Sequence, residues 1–272
     1  MGKGACRALW ISQGSLSMSS TTTDAVARDD LALLELTPTG SLRIGIVAAP
    51  APSALFAVFD AGSQAYRGVT LDIGGALAAR LGVAVEIVNF PNSGACTDAV
   101  ENGTIDVSFM PIDDERRRRV AFGPIYYVLE STYLVTASSG ITTLEEVDRE
   151  GVRVIGIANT TTIRSAARSL KTAVPEAVET IAEAIDRLLQ GKAEALALSR
   201  DAFRTLLAKL PGARVLDGGF QQTGIAIAVA HGKPSALAFV SAFLEEAKAS
   251  GLVRKALDDA GFADAPVAPP GA

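Results

Sequence analysis

Between residues 41 and 260 the apolar positions switch repeatedly between two spacings. Short apolar or alternating runs, the mark of strands, are interleaved with segments whose apolar residues recur every three or four positions, the mark of helices. Leu42–Ala49 (LRIGIVAA) reads as a buried strand. Val69–Gly82 places Leu71, Leu77, Ala78 and Leu81 at helical spacing and ends on Gly82, a residue suited to a helix C-cap. Val83–Phe90 is a second strand, and strand–helix–strand at this length demands a parallel pair with a right-handed crossover. A short helix near residues 97–103 and a strand at Ile105–Met110 complete this cycle.

A second cycle repeats the order. Val152–Ala158 is a strand, Thr161–Leu170 a helix, Val178–Gly191 an amphipathic helix and Glu194–Ser199 a strand. A helix capped by Asp201 follows, then strands at residues 213–218 and Gly224–Ala230. Helices at Pro234–Ala249 and Leu252–Ala260, parted by Gly251, close the pattern. The reading is an α/β protein of two similar lobes. Residues 1–40, rich in Ser, Thr, Gly and Asp, read as a flexible extension with one helical turn at Leu31–Leu36. Residues 263–272 (ADAPVAPPGA) read as a disordered tail, because prolines bar regular structure.

Charge removes several functions. The 272 residues carry 25 basic and 30 acidic side chains, net −5, against the basic surface that nucleic-acid binding requires. The run Arg116–Arg119 follows Asp113, Asp114 and Glu115, so its local surplus is small and i,i+4 pairing along a helix accounts for much of it. Two cysteines, Cys6 and Cys96, and a single histidine, His231, offer neither a disulfide framework nor a metal site, and no cofactor is expected. No apolar run is long enough to span a bilayer. At the N-terminus only Ala8–Ile11 is apolar, too short for a recognisable export signal, which leaves a cytoplasmic location open.

Five segments in order, GSLRIGI, YRGVTLDIGGALAARLGVAVEIV, VENGTIDVSFMPIDDERRRRVAFGPIYY, TTLEEVDREGVRVIGIANTTT and FLEEAKASGLVRKAL, resemble the family 3 solute-binding proteins of ABC transporters. The resemblance spans about residues 41–260 and implies the type II periplasmic-binding-protein fold. In that fold two lobes, each a mostly parallel sheet flanked by helices, are joined by two crossover segments. The crossings are expected near Val128–Glu130 and Phe220–Thr223. Lobe 1 is then 41–128 plus 223–262, and lobe 2 is 129–222. The implied function is capture of a small polar, carboxylate-bearing solute, an amino acid or related organic acid, in an interlobe cleft. The implied partners are that ligand and a membrane permease, with a monomeric chain in the periplasm and no chemistry of its own.

The resemblance also implies site residues. Arg116, aligned on RVAF, would turn into the cleft and grip a ligand carboxylate, for which a guanidinium fork is well matched. Arg117, Arg118 and Arg119 would form a solvated face. Asp113 stands where amino-acid binders carry Thr; it either caps a helix or faces the cleft. Thr160, Thr161 and Thr162 sit at a strand-to-helix turn, where free N–H groups and hydroxyls suit an anion, though Asn159 replaces the family's usual glycine. Ser199 occupies the place where amino-acid binders hold an Asp against the ligand ammonium. An α-amino acid therefore needs a substitute carboxylate from Asp113, Glu130 or Asp201. Phe56, Asn92 and Ser93 are further candidates for ligand contact, each with an equal structural explanation in core packing or turn chemistry. Two other functions use the same fold. One is a cyclohexadienyl-dehydratase-like enzyme with Glu130 as general acid; the other is a ligand sensor that is not exported.

Overall fold

A computed structural model describes residues 30–47 and 53–272. The first strands and helices are β1 (Ser41–Ile46), α2 (Val69–Leu81), β4 (Ala84–Asn89), α3 (Ser93–Glu101) and β5 (Val107–Pro111), preceded by helix α1 at residues 30–36. Strands β4, β1 and β5 lie side by side in parallel. The second set is β7 (Val154–Ile157), α5 (Thr161–Ser169), β8 (Glu176–Val178), α6 (Ile181–Leu189), β9 (Ala195–Ser199) and α7 (Arg200–Leu206), with β8, β7 and β9 parallel. We call the halves holding these two parallel sets lobe 1 and lobe 2.

Two long strands join them. β6 (Val120–Val135) spans 16 residues, and β11 (Gln221–Ala230) runs antiparallel to it from Gln221↔Ser131 to Ala230↔Val120. The outer face of β11 pairs with β5 in lobe 1, while the far end of β6 pairs with β9 and with β10 (Arg214–Val215) in lobe 2. One nine-stranded sheet, β4-β1-β5-β11-β6-β9-β7-β8 with β10 beside β6, therefore runs through the described residues of both lobes. A small hairpin, β2 (Val58–Asp60) and β3 (Ala65–Arg67), lies apart from it.

Alternation along the strands sends side chains to both faces. In lobe 1, Leu42, Ile44, Val107, Phe109, Ile225 and Ile227 pack under α2, α8 (Pro234–Ala249) and α9 (Leu252–Asp259). Ile105, Met110 and Ala228 pack with Cys96 and Val100 of α3 on the opposite face. Lobe 2 is built alike: Ile155, Ile157, Leu196 and Phe203 form one layer, and Tyr133, Val154, Ala195 and Leu216 the other.

Both ends of the described chain are more ordered than their composition predicts. Ala32 and Leu36 of α1 are buried, and the Glu35 carboxylate accepts from the Ala236 N–H at 2.7 Å. Glu35 thus caps the start of α8, whose own N-cap residue Lys233 offers no side-chain bond. Residues 1–29 lie outside the described residues. The expected disordered tail forms neither helix nor strand, yet it is held along β6. Ala268 N–H donates to the Tyr126 carbonyl at 3.0 Å, Ile125 N–H to the Ala272 carbonyl at 2.9 Å, and Lys248 Nζ to the Pro269 carbonyl at 2.9 Å. Proline bars the tail from a ladder but not from lending carbonyls to one.

Candidate functional site

Parallel strands of an open α/β sheet end where ligands bind. The carboxyl ends of β1, β5, β7 and β9 converge here on a cavity of about 150 Å³ between the lobes. Lobe 1 contributes Ile46 at the end of β1 and Val47 after it, Ser108 to Pro111 of β5, and Asn92, Ser93 and Cys96 at the start of α3. Ser53, Phe56 and Thr70 complete that wall. Lobe 2 contributes Ile157, Thr160, Ile181, Leu198, Ser199 and Ala202.

Backbone geometry sets several of these side chains. Gly68 has φ 134°, and a Cβ there would lie 2.7 Å from the Phe56 carbonyl oxygen and 2.8 Å from that of Ala54. Only glycine allows the close approach that lets Val69 N–H bond Ala54 and Thr70 N–H bond Phe56, fixing Phe56 and Thr70 in one wall. Asn92 caps α3 by accepting from Ala95 N–H at 2.9 Å. Thr160 caps α5 by accepting from Ile163 N–H, while its hydroxyl donates to the Ile157 carbonyl at 2.7 Å. Asn159 has φ 58°, the left-handed region that Asn tolerates better than most residues, which explains its standing in a glycine's place.

The lobes touch around this cavity. Gly94 of lobe 1 lies against Asn159 of lobe 2 so closely that a Cβ on Gly94 would sit 2.6 Å from the Asn159 Cβ. Ser53 Oγ donates to Asp201 Oδ2. Arg164 of α5 donates from Nε to Asp113 Oδ2 at 2.7 Å and pairs with Glu115 at 3.5 Å.

Several expected site residues fall elsewhere. Arg116 does not line the cavity. It is wholly buried behind it, donating from Nη1 to the Pro111 carbonyl at 2.9 Å and from Nη2 to Ser93 Oγ at 2.7 Å. Its Nε has no partner, and no carboxylate forms an ion pair with it among the described residues. Burial, then the neighbouring Arg164 charge, pushes its pKa down to about 10, so it stays cationic at neutral pH. Asp113 both caps and bridges: Oδ1 accepts from Arg116 N–H at 2.9 Å, and Oδ2 takes Arg164. It does not face the cavity.

Of the threonine trio, only Thr160 lines the cavity; Thr161 and Thr162 are buried in the first turn of α5, and Thr161 Oγ1 has no hydrogen-bond partner among the described residues. Glu130 pairs with Arg200 in a separate depression beside Tyr127, Arg204 and Phe262, so it is not placed for acid catalysis in the cavity. Asp201 is the second residue of α7, in its first turn, rather than its cap, and Ser199 takes the cap position. Along the arginine run, Glu115–Arg119 is the i,i+4 pair that forms; helix α4 (Asp114–Arg117) ends too soon to support the others.

Phe56, Asn92, Ser93, Thr160 and Ser199 do lie in the wall. Ser53, Thr70, Cys96 and Ser108 also line it without having been singled out. The signal that marks Ser108 is its position on a parallel strand entering the cavity. Cys96 bonds weakly to the Ile46 carbonyl, and burial pushes its thiol up to about 12. It is a packing residue, not a nucleophile. No group of His, Cys, Asp and Glu among the described residues is arranged to hold a metal.

A cavity closed by two lobes, reached by the carboxyl ends of four parallel strands, is the arrangement of a solute receptor. Residues 42–259 match the profile of the bacterial extracellular solute-binding proteins, family 3. The chain belongs to that family. Solved structures similar to this family 3 protein include a mutant of ArgBP from T. maritima, with 25% identity over 84% of this chain and 98% of that one, at TM-score 0.72. An ancestral amino acid-binding protein, AncCDT-1, a precursor of cyclohexadienyl dehydratase, shares 28% identity over 84% and 98%, at TM-score 0.71. The substrate-binding protein of an amino acid ABC transporter shares 25% over 81% and 98%, at TM-score 0.70. No curated protein sequence gave a significant match. The type II fold of this family 3 protein is therefore shared along nearly the whole of these neighbours.

Proposed function

We propose that this family 3 protein is the solute-binding component of an ABC importer, a monomer working outside the cytoplasmic membrane, that captures a small carboxylate-bearing solute between its lobes. The observation that carries the reading is Arg116. A buried guanidinium without an acid is costly, and here it stands one hydroxyl, Ser93, behind a cavity that both lobes wall. A ligand carboxylate would supply the missing charge, either through Ser93 or by a small turn of the arginine. Phe56, Ile46, Ile157 and Leu198 would hold an apolar body, while Asn92, Thr70, Thr160 and Ser199 offer polar contacts. The cavity is smaller than the ~300–1,000 Å³ of drug-sized pockets, so the guest is small.

Lobe 1 and lobe 2 would separate about residues 128–131 of β6 and 221–224 of β11, where pairing partners change from lobe 1 to lobe 2. Isothermal titration with small carboxylic acids and their methyl esters tests the carboxylate. At least one acid is expected to bind at least tenfold tighter than its ester. Equal binding of acid and ester, or no binding by any acid, would remove the reading.

A further inference from the structure

The charge and hydrogen-bond balance of the cavity wall narrows the ligand further, on the footing that a carboxylate is what the cavity takes. None of the described residues lining it carries an acidic or basic side chain. The nearest carboxylates are all engaged. Asp113 holds the Arg116 N–H and Arg164, Glu115 holds Arg119, and Glu130 holds Arg200. Asp201 stands behind Ser53, whose hydroxyl it accepts, and outside the lining.

Several neutral acceptors around the cavity already hold one bond each. The Gly45 carbonyl accepts from Ser108 Oγ at 3.0 Å, Ile46 from Phe90 N–H at 2.8 Å, Pro111 from Arg116 and Ile157 from Thr160. Asn92 Oδ1 and Ser93 Oγ accept from Ala95 and Arg116. On the donor side, Arg116 Nε is unused, and Thr70 Oγ1 makes no well-formed bond where it stands beside the Tyr126 phenol. The wall thus offers hydroxyls that can donate or accept, stands next to an unpaired cation, and holds no carboxylate among its described residues. An anion is favoured there; an ammonium buried beside it would find no counter-charge in the wall.

We infer that the cavity takes a carboxylate carrying no ammonium group, a 2-oxo, 2-hydroxy or simple carboxylic acid, in preference to an α-amino acid. The inference departs from the amino-acid binders that the chain resembles in fold.

Titration of matched skeletons tests this: pyruvate against alanine, 3-methyl-2-oxobutanoate against valine, and 4-methyl-2-oxopentanoate against leucine. The oxo acid of at least one pair should bind at least tenfold tighter than its amino acid. If an amino acid binds as well or better, the inference is overturned while carboxylate capture stands; if no carboxylate binds, both fall. Two variants add independent readings. Ser199→Asp places a carboxylate in the wall and should swing the ratio toward the amino acid by at least tenfold; an unchanged ratio counts against the inference. Asp201→Asn should leave the ratio as it is, and a selective loss of amino-acid binding would show that Asp201 reaches an ammonium and overturn the proposal.

Discussion

Two wholly buried charges of lobe 1 flank the two ends of β5, and they are handled in opposite ways. At the amino end Asp106 is wholly buried, accepting from Arg43 N–H at 2.9 Å, Nε at 3.0 Å and Nη2 at 2.7 Å. Arg43 spends its remaining reach on the Gly103 carbonyl at 2.9 Å. At the carboxyl end Arg116 is equally buried but has a carbonyl and a hydroxyl where Arg43 has a carboxylate. Burial of a charge is therefore no sign of function in itself. What separates the ends is the missing counter-charge, and it is missing on the side where parallel strands open to ligand.

Breaking the amino end should give the largest effect, and on stability alone. Asp106→Ala leaves the Arg43 guanidinium and N–H without their acceptor; loss of one partner of a buried pair costs about 3–5 kcal/mol. Chemical denaturation should show this as a lower midpoint, while ligand affinity well below the transition stays within about twofold, since Asp106 does not line the cavity. Arg116→Met should do the reverse. It removes a buried charge that has no ion-pair partner, so stability without ligand should hold within about 1 kcal/mol or rise. Affinity for the carboxylate should drop by about 100-fold, within the range for losing one partner of a buried charge pair. A variant that unfolds as readily as Asp106→Ala, yet still binds, would mean that Arg116 is structural like Arg43.

The same contrast shows what could be read from the chain in advance. Strands β1, β4 and β5 and helix α2 follow from local periodicity, because each is short and its burial repeats within the segment. β6 does not: Gly123 and Pro124 interrupt its apolar pattern, and its 16 residues are held extended by β11, about 100 positions downstream. Arg116 was picked out by its place in a motif, but its direction depends on α4 lasting four residues and on Asp113 turning toward Arg164. Ser53 and Thr70 carry no local signal, and Ser108 only its place on a strand, since their meeting depends on the order of strands in the sheet.

A smaller effect is expected where the lobes meet. Arg164→Gln removes the bridge to Asp113 while leaving the cavity wall intact. Arg164 is partly exposed, so a contribution on the order of 1 kcal/mol to the closed form is reasonable, seen as a three- to fivefold weaker affinity that shrinks with added salt. Burial alone would raise the Asp113 carboxyl, but the Arg116 N–H and Arg164 outweigh it and hold the group below the ordinary carboxylate value. A depressed pKa contributes fully above the unfolded value of about 3.9 and is lost as pH falls through the folded value. The bridge should thus be constant from pH 5 to 8 and fade in more acid solution, and that acid-side loss should be reduced in Arg164→Gln.

The smallest effect belongs to Arg119, three positions from Arg116 and its opposite in every respect. Asp98, Glu101 and Glu115 all pair with it, and their bonds hold its guanidinium well above the ordinary arginine value. Three partners do not make three times the importance. The cluster is largely open to solvent, where ion pairs contribute about 0–1 kcal/mol each and salt screens them. Removing the arginine leaves three acids that water can hydrate, whereas removing a partner from Asp106 strands a charge that water cannot reach. Arg119→Gln should shift the melting temperature by only a few degrees, by less in 0.5 M salt, and leave carboxylate affinity unchanged. A loss of affinity comparable to that of Arg116→Met would show that the arginine run acts as one unit, and that an unpaired buried guanidinium is not what marks the binding end of β5.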